Sequence, residues 1–333
     1  MNAVRIWSAA AAAIWLGMSA VSGAAHAQAG YPDKAVTIIA DAPPGSTPDV
    51  DARFIADGLG KMWGRQVVVV EHPGAFGSIA ARAAAEAAPD GYTLYMPALA
   101  TFVAPKTAAP NVPLQLPRDF IPIGFTAENP MFVAVNPALG VSTLPELLAL
   151  ARKKPGSISI AVSGAGRLTD LTGRLTDLTG RLLQQRENVS FVRVPYNSGT
   201  AAAVSDVAGG RVSMIIEGYS GIVGAVKGKQ IKLIAVASLK RLPEFPDVQP
   251  IADTIPGFSA TGWQVLLAPN GTPQPIIAKV SADLGKLVSD PEFQKRLATV
   301  GSYSHAMTPD QVLAFVKQQQ DTWLPVLQKS KEQ

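Results

Sequence analysis

Two glycine- and proline-rich loops near the amino end have the composition of an anion-binding site. Pro43-Pro-Gly-Ser-Thr-Pro-Asp49 and Pro73-Gly-Ala-Phe-Gly-Ser78 each follow an apolar run and precede a helical pattern. Backbone N–H groups at the start of a helix lack partners within the helix, and the helix dipole favours negative charge there. Serine and threonine hydroxyls add further donors. The residues predicted to contact the anion are Gly45, Ser46, Thr47, Asp49, Gly74, Ala75, Phe76, Gly77 and Ser78.

Asp49 also has a structural interpretation, which we favour over ligand contact. We predict a helix from about Asp49, and an aspartate at a helix start caps the free N–H groups. Glycine and proline are common in tight turns for steric reasons, so either loop alone is a weak signal. The prediction of an anion site is strengthened because both loops follow strands, and open α/β sheets bind ligands beyond the carboxyl ends of their strands.

Three later loops also follow predicted strands. In Ser163-Gly-Ala-Gly-Arg167, Gly164 and Gly166 begin a dinucleotide-binding fingerprint, but Thr169 stands where the third glycine is needed. We therefore expect no nicotinamide cofactor.

The other two loops offer a tyrosine and a glutamate. Tyr196 follows Val194-Pro, where it would present a ring and a hydroxyl to a ligand or pack as an ordinary interface aromatic. Glu217 precedes Gly218-Tyr-Ser220, and its carboxylate would accept a ligand amino or hydroxyl group or remain a solvated loop acid.

Alternating strands and helices must position these loops. From Tyr31 the chain repeats strand, loop and helix, which is typical of a parallel sheet covered by helices. Pro122–Asn136 is predicted to be a long crossing strand, and the chain returns near Gly262–Ala268. We predict an α/β fold with two domains, each a mainly parallel sheet flanked by helices. Residues 28–127 plus 261–333 form the first domain, residues 128–260 the second, and two connecting segments form a hinge.

The first 27 residues have the pattern of a cleaved signal peptide. Arg5 precedes an apolar run, and Ala25-His-Ala27 is an A-x-A cleavage site. Loss of Arg5 lowers the net charge from +4 to +3, which is too small to indicate nucleic-acid binding. There is no cysteine, so disulfides and thiolate chemistry are excluded. We expect an exported, soluble monomer.

The sequence offers little for catalysis or metal binding. Of three histidines, His26 lies in the signal segment, and His72 and His305 are far apart without metal-ligand spacing. Gly218-Tyr-Ser-Gly221 places its second glycine one residue early for a nucleophile elbow. We therefore expect neither an enzyme nor a bound metal or cofactor.

A seven-residue segment occurs twice in succession. Arg167-Leu-Thr-Asp-Leu-Thr-Gly173 is followed by the identical Arg174–Gly180. Seven residues are close to two helical turns, so the duplication would lengthen a helix with little rotation of its buried face. We favour a tolerated duplication over a functional one.

Six motifs together resemble one family, the Bug proteins, which are the periplasmic receptors of tripartite tricarboxylate transporters. The likeness covers nearly all of the chain after residue 27, and residues 88–94 and 267–273 are its most specific parts. The motifs are Tyr31-Pro, the first loop ending in Asp49, Glu71 with Pro73-Gly-Ala-x-Gly77, Ala88-Pro-Asp-Gly-Tyr-Thr-Leu94, Val194-Pro-Tyr196 and Leu267-Ala-Pro-x-Gly-Thr-Pro273.

The resemblance implies a type II-like periplasmic-binding-protein fold whose first two loops hold a ligand carboxylate, partly through ordered water. Family ligands are di- and tricarboxylates, acidic amino acids and aromatic acids. The resemblance places either Thr169 or its repeat counterpart Thr176 at a ligand contact. The Asp-Asn of the family's fifth loop is Glu217-Gly218 in this chain.

Residues and resemblance together predict a receptor that captures a small carboxylate-containing metabolite and delivers it to an integral membrane permease. The second domain would close over the carboxylate through Ser163, Gly164, Gly166, Thr169, Tyr196 and Glu217. One alternative is a periplasmic hydrolase that uses Ser220 or Ser163 with His72 as its base. The other is a binding protein that feeds a sensor kinase.

Overall fold

The computed structural model describes residues 30–42, 44–103, 112, 114–163, 175–196 and 200–329. Within these residues the strands form one nine-stranded sheet. No helix in the described ranges is both long and apolar enough to cross a membrane.

Three parallel strands form the amino-terminal part of the sheet. β1 (Val36–Ala40) lies between β2 (Val67–Glu71) and β3 (Thr93–Met96). The helices that follow these strands are α1 (Thr47–Trp63), α2 (Ser78–Ala85) and α3 (Leu99–Phe102). α1 has a proline in its first turn and is followed by Gly64 in a left-handed conformation, φ 62°, which are ordinary start and stop signals.

Two long strands connect this part of the sheet to the rest. β4 (Phe120–Val135) pairs over its first half with β9 (Thr261–Pro269), antiparallel. Its second half pairs with β7 (Met214–Gly218) and β8 (Lys232–Val236), also antiparallel. The predicted crossing strand and returning strand are both confirmed, and they contribute the antiparallel pairs of an otherwise parallel sheet.

The remaining elements build the second half of the sheet and the carboxyl end. β5 (Ser159–Ser163) pairs in parallel with β6 (Val192–Tyr196) and with β7. The helices are α4 (Leu144–Lys153), α5 (Leu175–Glu187), α6 (Thr200–Ala208), α7 (Tyr219–Lys227), α8 (Gln274–Ser289), α9 (Pro291–Ala298) and α10 (Pro309–Lys329). Helix α7 was not predicted.

The apolar core continues through the crossing strands. One buried cluster contains Phe125 and Val133 from the two halves of β4 together with Trp263 of β9. Trp263 is only 2% exposed, and full burial of a large apolar side chain contributes about 1.5–3 kcal/mol. The two crossing strands are therefore rigidly packed where they run between the halves of the sheet.

The second copy of the repeated heptad lies in α5. Its Asp177 forms ion pairs with Arg181, at 2.9 Å, and with Arg193. A Cβ added at Gly180 would lie 2.9 Å from Cδ1 of Ile160, so this copy packs closely on β5. The first copy, residues 167–173, lies outside the described residues.

Candidate functional site

The first loop folds back on the start of α1. The helix begins at Thr47, so the predicted start at Asp49 is wrong, and Asp49 lies in the first turn. Oδ2 of Asp49 accepts a hydrogen bond from the Gly45 N–H at 2.8 Å, and Oδ1 is 3.0 Å from Nε of Arg53. The predicted capping role of Asp49 is thus replaced by a bond that closes the loop. The Gly45 N–H, one of the amides expected to face an anion, is used within the loop.

The second loop has an unusual backbone. Residues 74–77 all have positive φ, at 111°, 44°, 54° and 79°, and two of them, Ala75 and Phe76, are not glycine. Left-handed conformations cost such residues roughly 1–2 kcal/mol each, so the surrounding structure must impose them. Gly77 is required sterically, because a Cβ there would lie 2.1 Å from Oγ1 of Thr101. The next residue, Ser78, is buried and begins α2.

A buried carboxylate, Asp41, directly follows β1 and precedes the first loop. Asp41 accepts hydrogen bonds from the Ala98 N–H at 3.2 Å and from the Thr101 hydroxyl. Burial raises the pKa of Asp41 to about 6, against the lowering effect of these two donors. Because Thr101 also packs on Gly77, Asp41 fixes the start of α3 against the second loop. Sequence reasoning missed Asp41, although an acid directly after a buried strand is a usable signal.

The first loop contacts the second half of the sheet. Oγ1 of Thr47 lies 2.5 Å from Oγ of Ser220 in α7. A Cβ added at Gly218, where β7 ends, would lie 2.4 Å from the same Thr47 oxygen. The start of α1 therefore rests directly on the junction of β7 and α7, and Gly218 is needed for that approach.

Glu217 lies beside this contact and bridges two helix starts. Its Oε1 accepts from the Gly218 N–H at 3.0 Å, and its Oε2 accepts from the Thr200 hydroxyl at 3.3 Å. Gly218 is the N-cap of α7 and Thr200 is the first residue of α6. A carboxylate at this place is stabilised by both helix dipoles. Thr200 was not among the predicted contacts.

The ends of β5 and β6 lie side by side. Ser163 and Tyr196 are partners in the strand register, as expected if both ends face one site. The Tyr196 hydroxyl donates to Oδ2 of Asp206 at 2.5 Å. Burial and this bond raise the pKa of Tyr196 to about 12, so the hydroxyl is protonated and engaged with α6. Three further predicted contacts, Gly164, Gly166 and Thr169, lie outside the described residues.

The crossing strands hold α1 from behind. Nδ2 of Asn129 in β4 donates to Oδ2 of Asp51 at 2.7 Å, and Nε2 of Gln264 in β9 donates to the Pro48 carbonyl at 3.0 Å. Asp51 is completely buried. Burial raises its pKa to about 7, against the lowering effect of the Ser302 hydroxyl and of Asn129. The first loop is thus tied to the strands that connect the two halves.

The described groups are suited to binding. Amides and hydroxyls at the starts of α1, α6 and α7 meet at the strand ends, where an anion or a polar ligand is stabilised. Among the described residues, no cluster of three or more histidine and carboxylate side chains could hold a metal ion. Ser220, a nucleophile in the hydrolase alternative, has its hydroxyl against Thr47.

The fold consists of two α/β halves that are joined by crossing strands, and polar loops meet at the strand ends. This is the architecture of a solute-binding protein. The chain belongs to the tripartite tricarboxylate transporter family of receptors, whose family model matches residues 51–331. The resemblance to Bug proteins is thereby confirmed, and the family is one of solute-binding receptors.

Individual relatives agree with this assignment. The chain is 31% identical over 314 residues to a "UPF0065 protein in tcbD-tcbE intergenic region" of Pseudomonas sp. strain P51, covering 94% of this chain and 91% of the relative. It is similar to the structure of the periplasmic binding protein BugD, with a TM-score of 0.75 at 28% identity over 90% of this chain and 99% of BugD. An R. palustris protein with adipate matches with a TM-score of 0.79 at 25% identity over 90% and 97% of the two chains. The predicted periplasmic-binding-protein fold is confirmed by these structures.

Proposed function

We propose that the chain is a periplasmic receptor that captures a small carboxylate-containing metabolite between two lobes and delivers it to an integral membrane permease. The lobes would be residues 28–127 with 261–333, and residues 128–260. Residues 1–27 would be removed on export, and the receptor would act as a monomer without a cofactor. The likeness to a protein solved with adipate supports a carboxylate as the ligand class.

The observation that carries the proposal is the contact of Thr47 with Ser220 and Gly218. It joins the first loop of one half to the β7–α7 junction of the other, so groups of both halves surround one place. A ligand bound there would contact both lobes and would favour their closure, because only contacts made in the closed state shift the equilibrium toward it. Closure would then present a composite surface to the permease.

Calorimetry and thermal shift against a carboxylate library test the proposal. The library would contain dicarboxylates, tricarboxylates, hydroxy acids, amino acids and aromatic acids, with the sugars of the same size as a control. We expect saturable binding of at least one acid and a rise in Tm, since a ligand that binds only the folded state stabilises it. Folded, ligand-free protein that responds to no acid would contradict the proposal. Mass spectrometry of the purified protein would reveal any ligand carried through purification.

Export and delivery need separate measurements. Mass spectrometry of the exported chain should show an amino terminus at Gln28, which follows the predicted cleavage site. Uptake of the identified acid by intact cells should fall when the chain is deleted and recover when it is restored. Unchanged uptake in the deletion strain would favour the sensor alternative.

A further inference from the structure

We infer that Tyr303 is a positioning residue for ligand capture, which holds residues 301–305 across the two proposed lobes and thereby keeps the start of α7 against the first loop. We call residues 301–305 the strap. The strap connects α9 to α10 and belongs to the first lobe. The inference rests on the proposed function, because it concerns how the two lobes are held around the site.

The strap is anchored where β4 passes from one lobe to the other. The Glu128 N–H donates to the Tyr303 carbonyl at 2.7 Å, and the Tyr303 N–H donates to the Glu128 carbonyl at 2.8 Å. Nδ2 of the next residue in β4, Asn129, donates to Oδ2 of Asp51 in α1 at 2.7 Å. Two consecutive residues of β4 therefore hold both the strap and α1.

One end of the strap packs on the start of α7. Gly301 has a φ of 72°, and a Cβ added there would lie 2.6 Å from Cβ of Tyr219. Tyr219 is the first residue of α7, and the next residue, Ser220, contacts Thr47. The start of α7 thus lies between two parts of the first lobe, the strap and the first loop.

The Tyr303 side chain reaches the second lobe at a different place. Its hydroxyl donates to Oε2 of Glu244 at 2.9 Å. Burial, and then the bond to Glu244, raise the pKa of Tyr303, so the hydroxyl remains a donor at neutral pH. The residue after Glu244, Phe245, packs its ring against those of Tyr219 and Phe132, with centroids 4.6 Å and 4.8 Å away. The bond therefore leads to the start of α7, which the strap also contacts.

Opening of the lobes would break this arrangement. Movement of Ser220 away from Thr47 takes the rest of the second lobe, including Glu244, along with it. Tyr303 does not follow, because its backbone is bonded to β4 at the connection between the lobes. The bond to Glu244 is therefore fully made only when the lobes are in contact, and such a bond shifts the equilibrium toward closure. One hydrogen bond changes an equilibrium of this kind roughly 3- to 10-fold, and the apparent affinity for a ligand of the closed state changes by up to the same factor.

Spin labels on the two lobes measure this equilibrium without a ligand. The chain has no cysteine, so Ala149→Cys in α4 and Ala278→Cys in α8 introduce the only two labelling sites. Both alanines are exposed. With Tyr303→Phe added, we expect the population with longer distances between the labels to rise roughly 3- to 10-fold relative to the population with shorter distances. Glu244→Ala should cause the same shift, and the double variant should shift no further, because each single variant already removes the bond.

Tyr92→Phe is the matched control. The Tyr92 hydroxyl also donates to a carboxylate, that of Asp33, but both residues belong to the first lobe. This variant removes an equivalent bond and should leave the label distances unchanged. A purely structural role of Tyr303 would lower the free energy of unfolding in urea without moving the labels. Glu244 is exposed, so Glu244→Ala keeps the test available if Tyr303→Phe folds poorly.

Calorimetry with adipate, succinate and citrate measures the consequence for binding. Each of these acids that wild-type protein binds should bind Tyr303→Phe and Glu244→Ala more weakly, by up to about tenfold, and should bind Tyr92→Phe equally well.

The outcomes separate this inference from the proposed function. Wild-type label distances in both Tyr303→Phe and Glu244→Ala would overturn the inference alone. A shift in Tyr303→Phe without one in Glu244→Ala would overturn the role of the bond between them. Failure of every acid in the wider library would overturn the proposed function, whereas the label distances would still decide whether Tyr303 holds the lobes together.

Discussion

Replacing Asp51 by asparagine should remove a pH dependence of folding stability. The folded pKa of Asp51 is raised from 3.8 to about 7, so between these values the folded chain keeps a proton that the unfolded chain has released. The free energy of unfolding therefore falls as pH rises through this window. Each pKa unit corresponds to about 1.4 kcal/mol, which gives a loss of about 3 kcal/mol between roughly pH 4.5 and pH 8.

The asparagine introduced by D51N would carry no charge at any pH but would keep the contacts of the neutral acid. The Asn129 amide, now 2.7 Å from Oδ2 of Asp51, would donate to the new side-chain oxygen, and the new amide would face Ser302. We expect D51N to match wild type near pH 4.5 and to exceed it by about 3 kcal/mol near pH 8. At about 2 °C per kcal/mol, this is roughly 6 °C in Tm.

Urea unfolding at a series of pH values measures this difference. Asp57→Asn is the control on the same helix, because Asp57 is only partly buried and its pKa is lowered by hydrogen bonds from Arg296 and Lys61. The stabilisation that ionised Asp57 provides is present at every pH above its unfolded pKa and is lost only below that value. The free energy of unfolding of this variant should therefore change with pH in parallel with that of wild type. If D51N also ran parallel to wild type from pH 4.5 to pH 8, the reasoning on Asp51 would be refuted.

Three further variants test other contacts. Gly218→Ala should lower ligand affinity, measured by calorimetry, at least about tenfold, because its Cβ would lie 2.4 Å from a threonine oxygen of the first loop. Gly224→Ala, in the helix that Gly218 caps, should leave the affinity unchanged, because nothing lies within 4 Å of its added Cβ. Gly77→Ala should lower the free energy of unfolding, measured in urea, by about 2 kcal/mol or more. Gly140→Ala should lower it by only about 1 kcal/mol, because Gly140 also has a positive φ but has open space around it. Deletion of residues 167–173 should change the free energy of unfolding by less than about 0.5 kcal/mol, because one copy of the heptad remains to pack in α5. A decrease of more than about 2 kcal/mol would show that the first copy of the heptad is needed for stability.

The regular elements were predictable where the local pattern was strong. β2 and α4 each follow from a strong local pattern, because an apolar β-branched run or an amphipathic helical pattern ends at clear turn residues in each case. Helix α7 was missed because it contains Gly221 and Gly224 within nine residues, which lowers its intrinsic helix propensity. It forms nevertheless because Tyr219 and Ile222 are buried against the sheet. Tertiary packing overrides local propensity in this segment.

The site was predictable as a set of loops but not as a set of contacts. Alternation of strands and helices places the first two loops at one edge, and the parallel register of Ala40 with Glu71 agrees with that. The contact of Thr47 with Ser220 depends on how β4 and β9 pair across the sheet, which no local pattern encodes. The role of Asp49 was mistaken for a related reason. A shift of two residues in the helix start changes the N–H groups within reach of its carboxylate.

The two halves share one electrostatic arrangement. Asp49 accepts from the Gly45 N–H beside the start of α1, and Glu217 accepts from the Gly218 N–H at the start of α7. Each α-helix begins with about four N–H groups that lack intrahelical partners, so one internal carboxylate uses only part of that capacity. Under the proposed function, the ligand carboxylate would bind to N–H groups at the start of α1 that Asp49 does not use.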